Sequence, residues 1–304
     1  MEYVLTTNAL TKSYRHFSAL RGLSMHVPKG AIYGFVGKNG AGKTTLIRLI
    51  CGLQNPTSGD YVLYGMHSGE KGIAKSRKRM GAVVETPSIY LDLTAEANLK
   101  LQYRILGLPS YDGLQEILRL VGLQDTGRKK ARHFSLGMRQ RLGIAIALAG
   151  SPDFLVLDEP VNGLDPQGII EIRELILKLN QEHQITFLIS SHILDELSKL
   201  ATWYGFIDSG RLVKEMSAAD LESACRKCVR MEVTDVRALA RVLDSMNVEY
   251  KVLTDTRADV FAKVKVSELA AALAAQSCEV LSMQERSESL ESYYVSLLGG
   301  GENA

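Results

Sequence analysis

The chain has 304 residues, 46% of them hydrophobic and 23% charged, with a formal net charge of +2. These values suit one large globular domain or two, with length enough for a real core. So small a charge gives no electrostatic ground for nucleic acid or an anionic lipid surface as the main partner. The longest apolar stretch, Leu142 to Ala149, falls far short of the ~20 residues that cross a bilayer. The start, Met1-Glu2-Tyr3-Val4, carries an acid and no long apolar core, so it does not read as a secretory signal. The expectation is a cytoplasmic chain that reaches a membrane only through a partner.

Residues 3–36 alternate apolar and polar, with a turn at Pro28-Lys29-Gly30. Ala31 to Val36 is a short apolar run that suits a buried strand. Gly37 to Thr44 follows it and fits G-x-x-x-x-G-K-[ST], and Thr44 to Cys51 reads as a helix. Pro56-Thr57-Ser58-Gly59 breaks the pattern before a strand at Asp60–Tyr64. The basic run Lys75 to Arg79 reads as a solvated face or a helix end. Leu93 to Ala149 is helical text, with Leu114, Ile117, Leu118 and Val121 at helical spacing. Phe154 to Leu157 is continuously apolar, as in a parallel sheet covered on both faces. A helix at Gly168–Asn180 and a buried strand at Ile185–Ser190 complete an α/β alternation.

Near Gly210 the character changes. Strands are predicted at Val229–Val233, Val248–Leu253, Asp259–Lys263 and Val280–Gln284, and helices at Val236–Met246 and Ser267–Ala275. With a final helix, this order is the split β-α-β-β-α-β pattern of a small α+β domain. The boundary is placed between residues 215 and 216, giving domains 1–215 and 216–304. Gly299-Gly300-Gly301 reads as a frayed tail. Cys225 and Cys228 form a C-x-x-C pair, but zinc would need two more ligands. Cys278 stands alone, and no histidine follows His192. Cys51 reads as a small core residue.

Triphosphate is anionic and needs many N–H donors at close range. Gly37, Gly40 and Gly42 let the backbone curl tightly, so that Lys38, Asn39 and Ala41 turn their amides inward, with Thr45 beyond them. The helix starting near Lys43 directs its positive end at the phosphates. Lys43 places a charge on the β- and γ-phosphates, and the Thr44 hydroxyl suits Mg²⁺. Asp158, ending a buried strand, suits a second Mg²⁺ contact through a water. Glu159 can polarise the attacking water as general base.

Phe134-Ser135-Leu136-Gly137-Met138-Arg139-Gln140 lies within the helical text and precedes Asp158-Glu159. In this order, residues ~3–215 resemble the ATP-binding-cassette (ABC) ATPases. The segment departs from the usual Leu-Ser-Gly-Gly-Gln signature at three positions but keeps Ser135 and Gly137. The resemblance implies a phosphate-loop NTPase with a RecA-like core, an antiparallel β subdomain and a helical signature subdomain at about 86–150. It implies that Ser135, Gly137 and the helix start behind them contact the γ-phosphate held by a second copy. A Ser-capped helix start is an anion site on physical grounds too. By the same resemblance Asn162-Gly163-Leu164-Asp165 is the interface loop, His192 reaches the γ-phosphate, and Tyr14 stacks on adenine.

Glu85, in Val84-Glu85-Thr86-Pro87, stands where the family usually has glutamine. It is expected to act in catalysis and to approach Mg²⁺ or the water, without an N–H to donate. Glutamate here resembles transporters that export bacitracin or lantibiotic peptides, and Ser289 to Tyr294 resembles the tail of drug-export subunits. The implied partners are a second copy, closing around two Mg-ATP, and a membrane permease whose helix enters beside Glu85. Nucleic acid is not expected. Three other classes compete. A GTPase or kinase is disfavoured by the lack of an Asn-Lys-x-Asp motif. An ABC protein acting on ribosomes or DNA resembles tandem cassettes or carries long inserts. A nucleotide-gated module with little turnover is the third.

Overall fold

The continuously apolar runs become parallel strands stacked side by side, because only a sheet covered on both faces buries every side chain of such a run. The computed structural model describes residues 2–224, 227–261, 265–287 and 290–299. The chain forms two units, Met1–Ala218 and Ala219–Ala304.

The first unit holds two sheets. One is antiparallel: β1 (Tyr3–Tyr14), β2 (Phe17–Leu23), β3 (His26–Pro28), and later β5 (Ser58–Leu63) and β6 (Met66–His67). Its order is β2-β1-β5-β6, with β3 also on β1. The other sheet uses β4 (Ile32–Val36), β7 (Met80–Val83), β8 (Phe154–Asp158), β9 (Thr186–Ser191), β10 (Trp203–Asp208) and β11 (Arg211–Ser217). Its order is β11-β10-β4-β9-β8-β7, parallel except for β11 on the edge. Sequence reasoning had not assigned β7, β10 or β11. Gly81 and Gly205 interrupt the apolar text of β7 and β10, and β11 alternates weakly on an exposed edge.

Helix α1 (Lys43–Ile50) lies in the core shared by both sheets. Its Leu46, Ile47, Leu49 and Ile50 are fully buried with Leu5, Leu20, Tyr33, Phe35, Tyr61 and Val156. Each such apolar side chain contributes about 1.5–3 kcal/mol by leaving water. The short α2 (Ile73–Arg77) takes in part of the basic run.

The region read as helical over 93–149 resolves into α3 (Ala95–Leu106), α4 (Leu114–Leu120) and α5 (Leu136–Leu148). Gly107, at φ 71°, ends α3, and two single 3₁₀ turns precede α5. Buried Asn98 bonds Tyr90 N–H and the Tyr90 and Thr94 carbonyls, which fastens the entry loop to α3. Helix α6 (Pro166–His183) is longer than expected because Asp165 caps it and Pro166 occupies its first turn. The five-residue α7 (Leu194–Ser198) follows β9. None of the described helices is long and apolar enough to cross a membrane.

From Ala219 the second unit holds the rest of α8 (Ala218–Ala224), then β12 (Lys227–Val233), α9 (Val236–Ser245), β13 (Tyr250–Thr254), β14 (Arg257–Val260), α10 (Val266–Ala274), β15 (Val280–Ser287) and α11 (Leu290–Gly299). The sheet order β13-β14-β12-β15 is antiparallel throughout. That is the arrangement the split pattern requires. Its core includes Met231, Val233, Leu239, Leu243, Val260, Leu273 and the buried Cys278. Arg230 grips Asp259 through two bonds of 2.7 Å. Cys225, Ala262, Lys263, Ser289, Gly300 and Gly301 lie outside the described residues.

Candidate active site

Strands β4, β8 and β9 run parallel and adjacent, so their carboxyl ends share one edge of the sheet. Val36 pairs with Ser191, and Asp158 with Ser190. The residues following each strand therefore meet: Gly37–Lys43 after β4, Glu159 after β8, and His192 after β9.

The loop after β4 is closed by the Ala41 N–H on the Lys38 carbonyl at 3.1 Å. Lys38, Asn39 and Gly40 form its exposed outer arc, and Thr44 and Thr45 are half-buried on α1. Gly42 has φ 111°, and a Cβ there would lie 2.5 Å from the Ala19 carbonyl oxygen. Only glycine fits. The N-terminus of α1 has no side-chain cap and no acid in its first turn. Its N–H groups and dipole are thus left to an anion.

Lys43 is 6% exposed. Its ammonium donates to the Gly37 carbonyl at 2.6 Å and the Lys38 carbonyl at 3.3 Å, and pairs with Glu159 Oε1 at 3.1 Å. Glu159 Oε2 accepts from His192 Nδ1 at 2.7 Å. One carboxylate thus joins the loop lysine to the histidine. Because its acceptor is a carboxylate, Nδ1 carries the proton. Glu159 itself has φ 49°, in the left-handed region. Asp158 is 1% exposed, and its Oδ1 accepts from the Ser190 hydroxyl at 2.5 Å. The Thr44 hydroxyl and the Asp158 carboxylate are hard oxygen donors, and that chemistry fits Mg²⁺.

Other expected residues sit outside this cluster. Ser135 caps α5 by accepting from Met138 N–H at 3.2 Å, and Asp165 caps α6 by accepting from Gly168 N–H at 3.3 Å. A Cβ on Gly137 would touch only Leu164 and Gly168, at 3.9 and 4.0 Å. Leu136, between Ser135 and Gly137, is 50% exposed. Tyr14 ends β1, with its hydroxyl on Gln54 and the Lys12 ammonium 5.3 Å from its ring centroid. Glu85 has φ 58°, and its carboxylate is bound by Arg48 of α1 at 2.5 Å, apart from the Lys43–Glu159–His192 group. Both line a cavity of about 370 Å³ with Leu53, Val84, Pro87 and Gly143. Sequence reasoning missed Arg48 and Ser190. The one available signal for Ser190 was a hydroxyl directly after the apolar run Phe187-Leu188-Ile189.

Residues 20–162 match the family described as ABC transporter. The chain is 38% identical over 99% of its length to the bacitracin transport ATP-binding protein BcrA of Enterococcus faecalis, covering 98% of that protein. It is 41% identical over 70% of its length to the lantibiotic transport ATP-binding protein SrtF of Streptococcus pyogenes, covering 90% of that protein. A nucleotide-free ATP-binding cassette from an ABC transporter superposes with a TM-score of 0.64 at 26% identity, over 71% of this chain and 92% of that one. Fold and site together define a phosphate-loop NTPase. The chain belongs to the ATP-binding proteins of ABC transporters, and it is an ABC ATPase.

Proposed function

We propose that two copies of this chain sandwich two Mg-ATP and that their closure and reopening drive a membrane permease. The exported load, or the agent resisted, is a peptide antibiotic of the bacitracin or lantibiotic kind. The Lys43–Glu159–His192 group carries the hydrolytic reading, because it sets a base and its orienting partner beside a phosphate loop. The transport names of the two relatives above support the substrate class.

The loop amides and the start of α1 bind the β- and γ-phosphates, with Tyr14 against the adenine. The phosphates compete with Glu159 for the Lys43 ammonium, which releases the carboxylate toward water. Glu159 takes the proton as the water oxygen attacks the γ-phosphorus, and the bond to the β–γ bridging oxygen breaks. His192 holds Glu159 through Nδ1 and faces the γ-phosphate. Thr44 and Asp158 would hold Mg²⁺, which when bound neutralises charge on the phosphates. Ser135, Gly137 and the start of α5 complete the site of the other copy, with Asp165 at the interface. Glu85 exchanges Arg48 for the nucleotide side, and so links the cavity that receives the permease to α1. The chain then sits at the inner face of the membrane through that permease.

The test is a cell that carries the chain with its permease. Lys43→Ala should raise susceptibility to bacitracin or a lantibiotic to the level of a deletion. Unchanged susceptibility to both would remove the substrate assignment.

A further inference from the structure

Ser190, the next-to-last residue of β9, has no exposure to solvent, and packing alone would be satisfied there by an apolar side chain, as at Leu188 and Ile189 before it. A buried hydroxyl is costly unless it is bonded. This one is bonded twice, to consecutive acids. Its oxygen lies 2.5 Å from Asp158 Oδ1 and accepts the Glu159 N–H at 3.0 Å. An amide can only donate, so the lone pair of Ser190 faces Glu159 and its single proton is left for Asp158. The direction of both bonds is therefore set.

We propose that Ser190 is a positioning residue that holds the metal-binding carboxylate and the general base in register. This rests on the roles given to Asp158 and Glu159 above. Its effect on Asp158 is to lock the carboxylate rotamer, so that the second oxygen keeps one direction. With Ser190 at 0% and Asp158 at 1% exposure, the bond between them is shielded from bulk water. Its effect on Glu159 is to hold a left-handed backbone that a non-glycine residue keeps only when fixed by its surroundings. The Glu159 N–H is shared between the Ser190 hydroxyl and the Ser190 carbonyl, the latter at 3.2 Å. This aims the Glu159 side chain at Lys43 and His192.

The experiment uses full-length chain saturated with a non-hydrolysable ATP analogue, into which Mn²⁺ is titrated and followed by electron paramagnetic resonance. Ser190→Ala should bind Mn²⁺ about tenfold more weakly, in the range seen when a hydrogen-bond partner of a metal ligand is lost. Analogue affinity without metal should stay within about twofold, whereas a general loss of structure would weaken both. In hydrolysis, the Mg²⁺ requirement should rise and kcat should fall, with KM for ATP at saturating Mg²⁺ little changed. Mn²⁺ affinity equal to that of the unmodified chain, in an experiment where Asp158→Asn loses it, would overturn the role of Ser190 alone. If Asp158→Asn also keeps full Mn²⁺ affinity, the metal role of Asp158 fails and the proposal falls with it.

Discussion

At the mouth of the glycine loop a buried ammonium, a left-handed glutamate and a histidine share one carboxylate. The amide of Glu159→Gln keeps the shape but cannot take a proton from water. That variant should still bind ATP and accumulate as a dimer, while phosphate release falls by roughly 10²- to 10⁴-fold. Release at the unmodified rate would end the general-base assignment. Cys51 offers a second measurement. Burial pushes its thiol from 9.0 up to about 12, against the opposing pull of Arg77 and with a smaller push from Asp158. At about pH 8 almost no thiolate forms, so iodoacetamide should label Cys51 far more slowly in the folded chain than in urea. The linkage has a definite sign. Between pH 9.0 and about 12 the folded thiol keeps a proton that the unfolded one loses, so this residue subtracts stability as pH rises through that window.

At the scale of elements, caps and close approaches decide what each helix can do. Ser135 and Asp165 both satisfy orphan N–H groups at helix starts. Ser135→Ala should cost about 1 kcal/mol in thermal unfolding. On the dimer reading it should lower hydrolysis far more than that loss explains. Helix α5 also passes close to the loop after Glu85: a Cβ on Gly143 would stand 2.6 Å from the Cβ of Pro87. Gly143→Ala should therefore cost about 1–3 kcal/mol by overpacking and shift the Pro87 wall of the cavity. Calorimetry checks the first effect. The β5–β6 hairpin carries a pH-dependent pair. His67 Nδ1 bonds Asp60 at 2.6 Å, and that bond raises the histidine above its ordinary 6.5. The stabilisation is present below the unfolded value and is lost as pH rises through the folded one. A melting difference between His67→Gln and the unmodified chain should be seen near pH 5.5 and vanish near pH 9.

For the whole molecule, every residue of the candidate site lies within Met1–Ala218. A chain ended after Ala218 should still bind ATP in calorimetric titration. Ending it after Ser209 instead removes β11 and with it Glu215, which accepts the buried Tyr33 hydroxyl at 2.6 Å and pairs with His26 at 3.0 Å. Burial first, then Glu215, raises the Tyr33 hydroxyl well above its ordinary range, so it stays neutral and keeps needing a partner. Orphaning it costs about 1–3 kcal/mol besides the lost strand, so the shorter chain should bind ATP weakly or aggregate.

Much of the chemistry was legible without coordinates. Gly42, Lys43 and Thr44 stand at fixed offsets, Asp158 and Glu159 follow a run that only a covered strand explains, and the β-α-β-β-α-β order of the second unit follows from local periodicity. These signals are local, carried by spacing and side-chain type within a few residues. The resemblance of residues 134–140 added the family. Which groups touch was a different matter. Ser190 meets Asp158 from 32 positions away, His192 meets Glu159 from 33, and Arg48 meets Glu85 from 37. No local period encodes such distances. The first two pairs exist because β8 and β9 lie parallel and in register, so that their ends coincide. The third exists because α1 packs beside the loop that carries Glu85. The residue types were settled by the sequence alone, whereas the pairing of Lys43 with Glu159, the second bond of Ser190 and the capture of Glu85 by Arg48 were decided by strand register and packing.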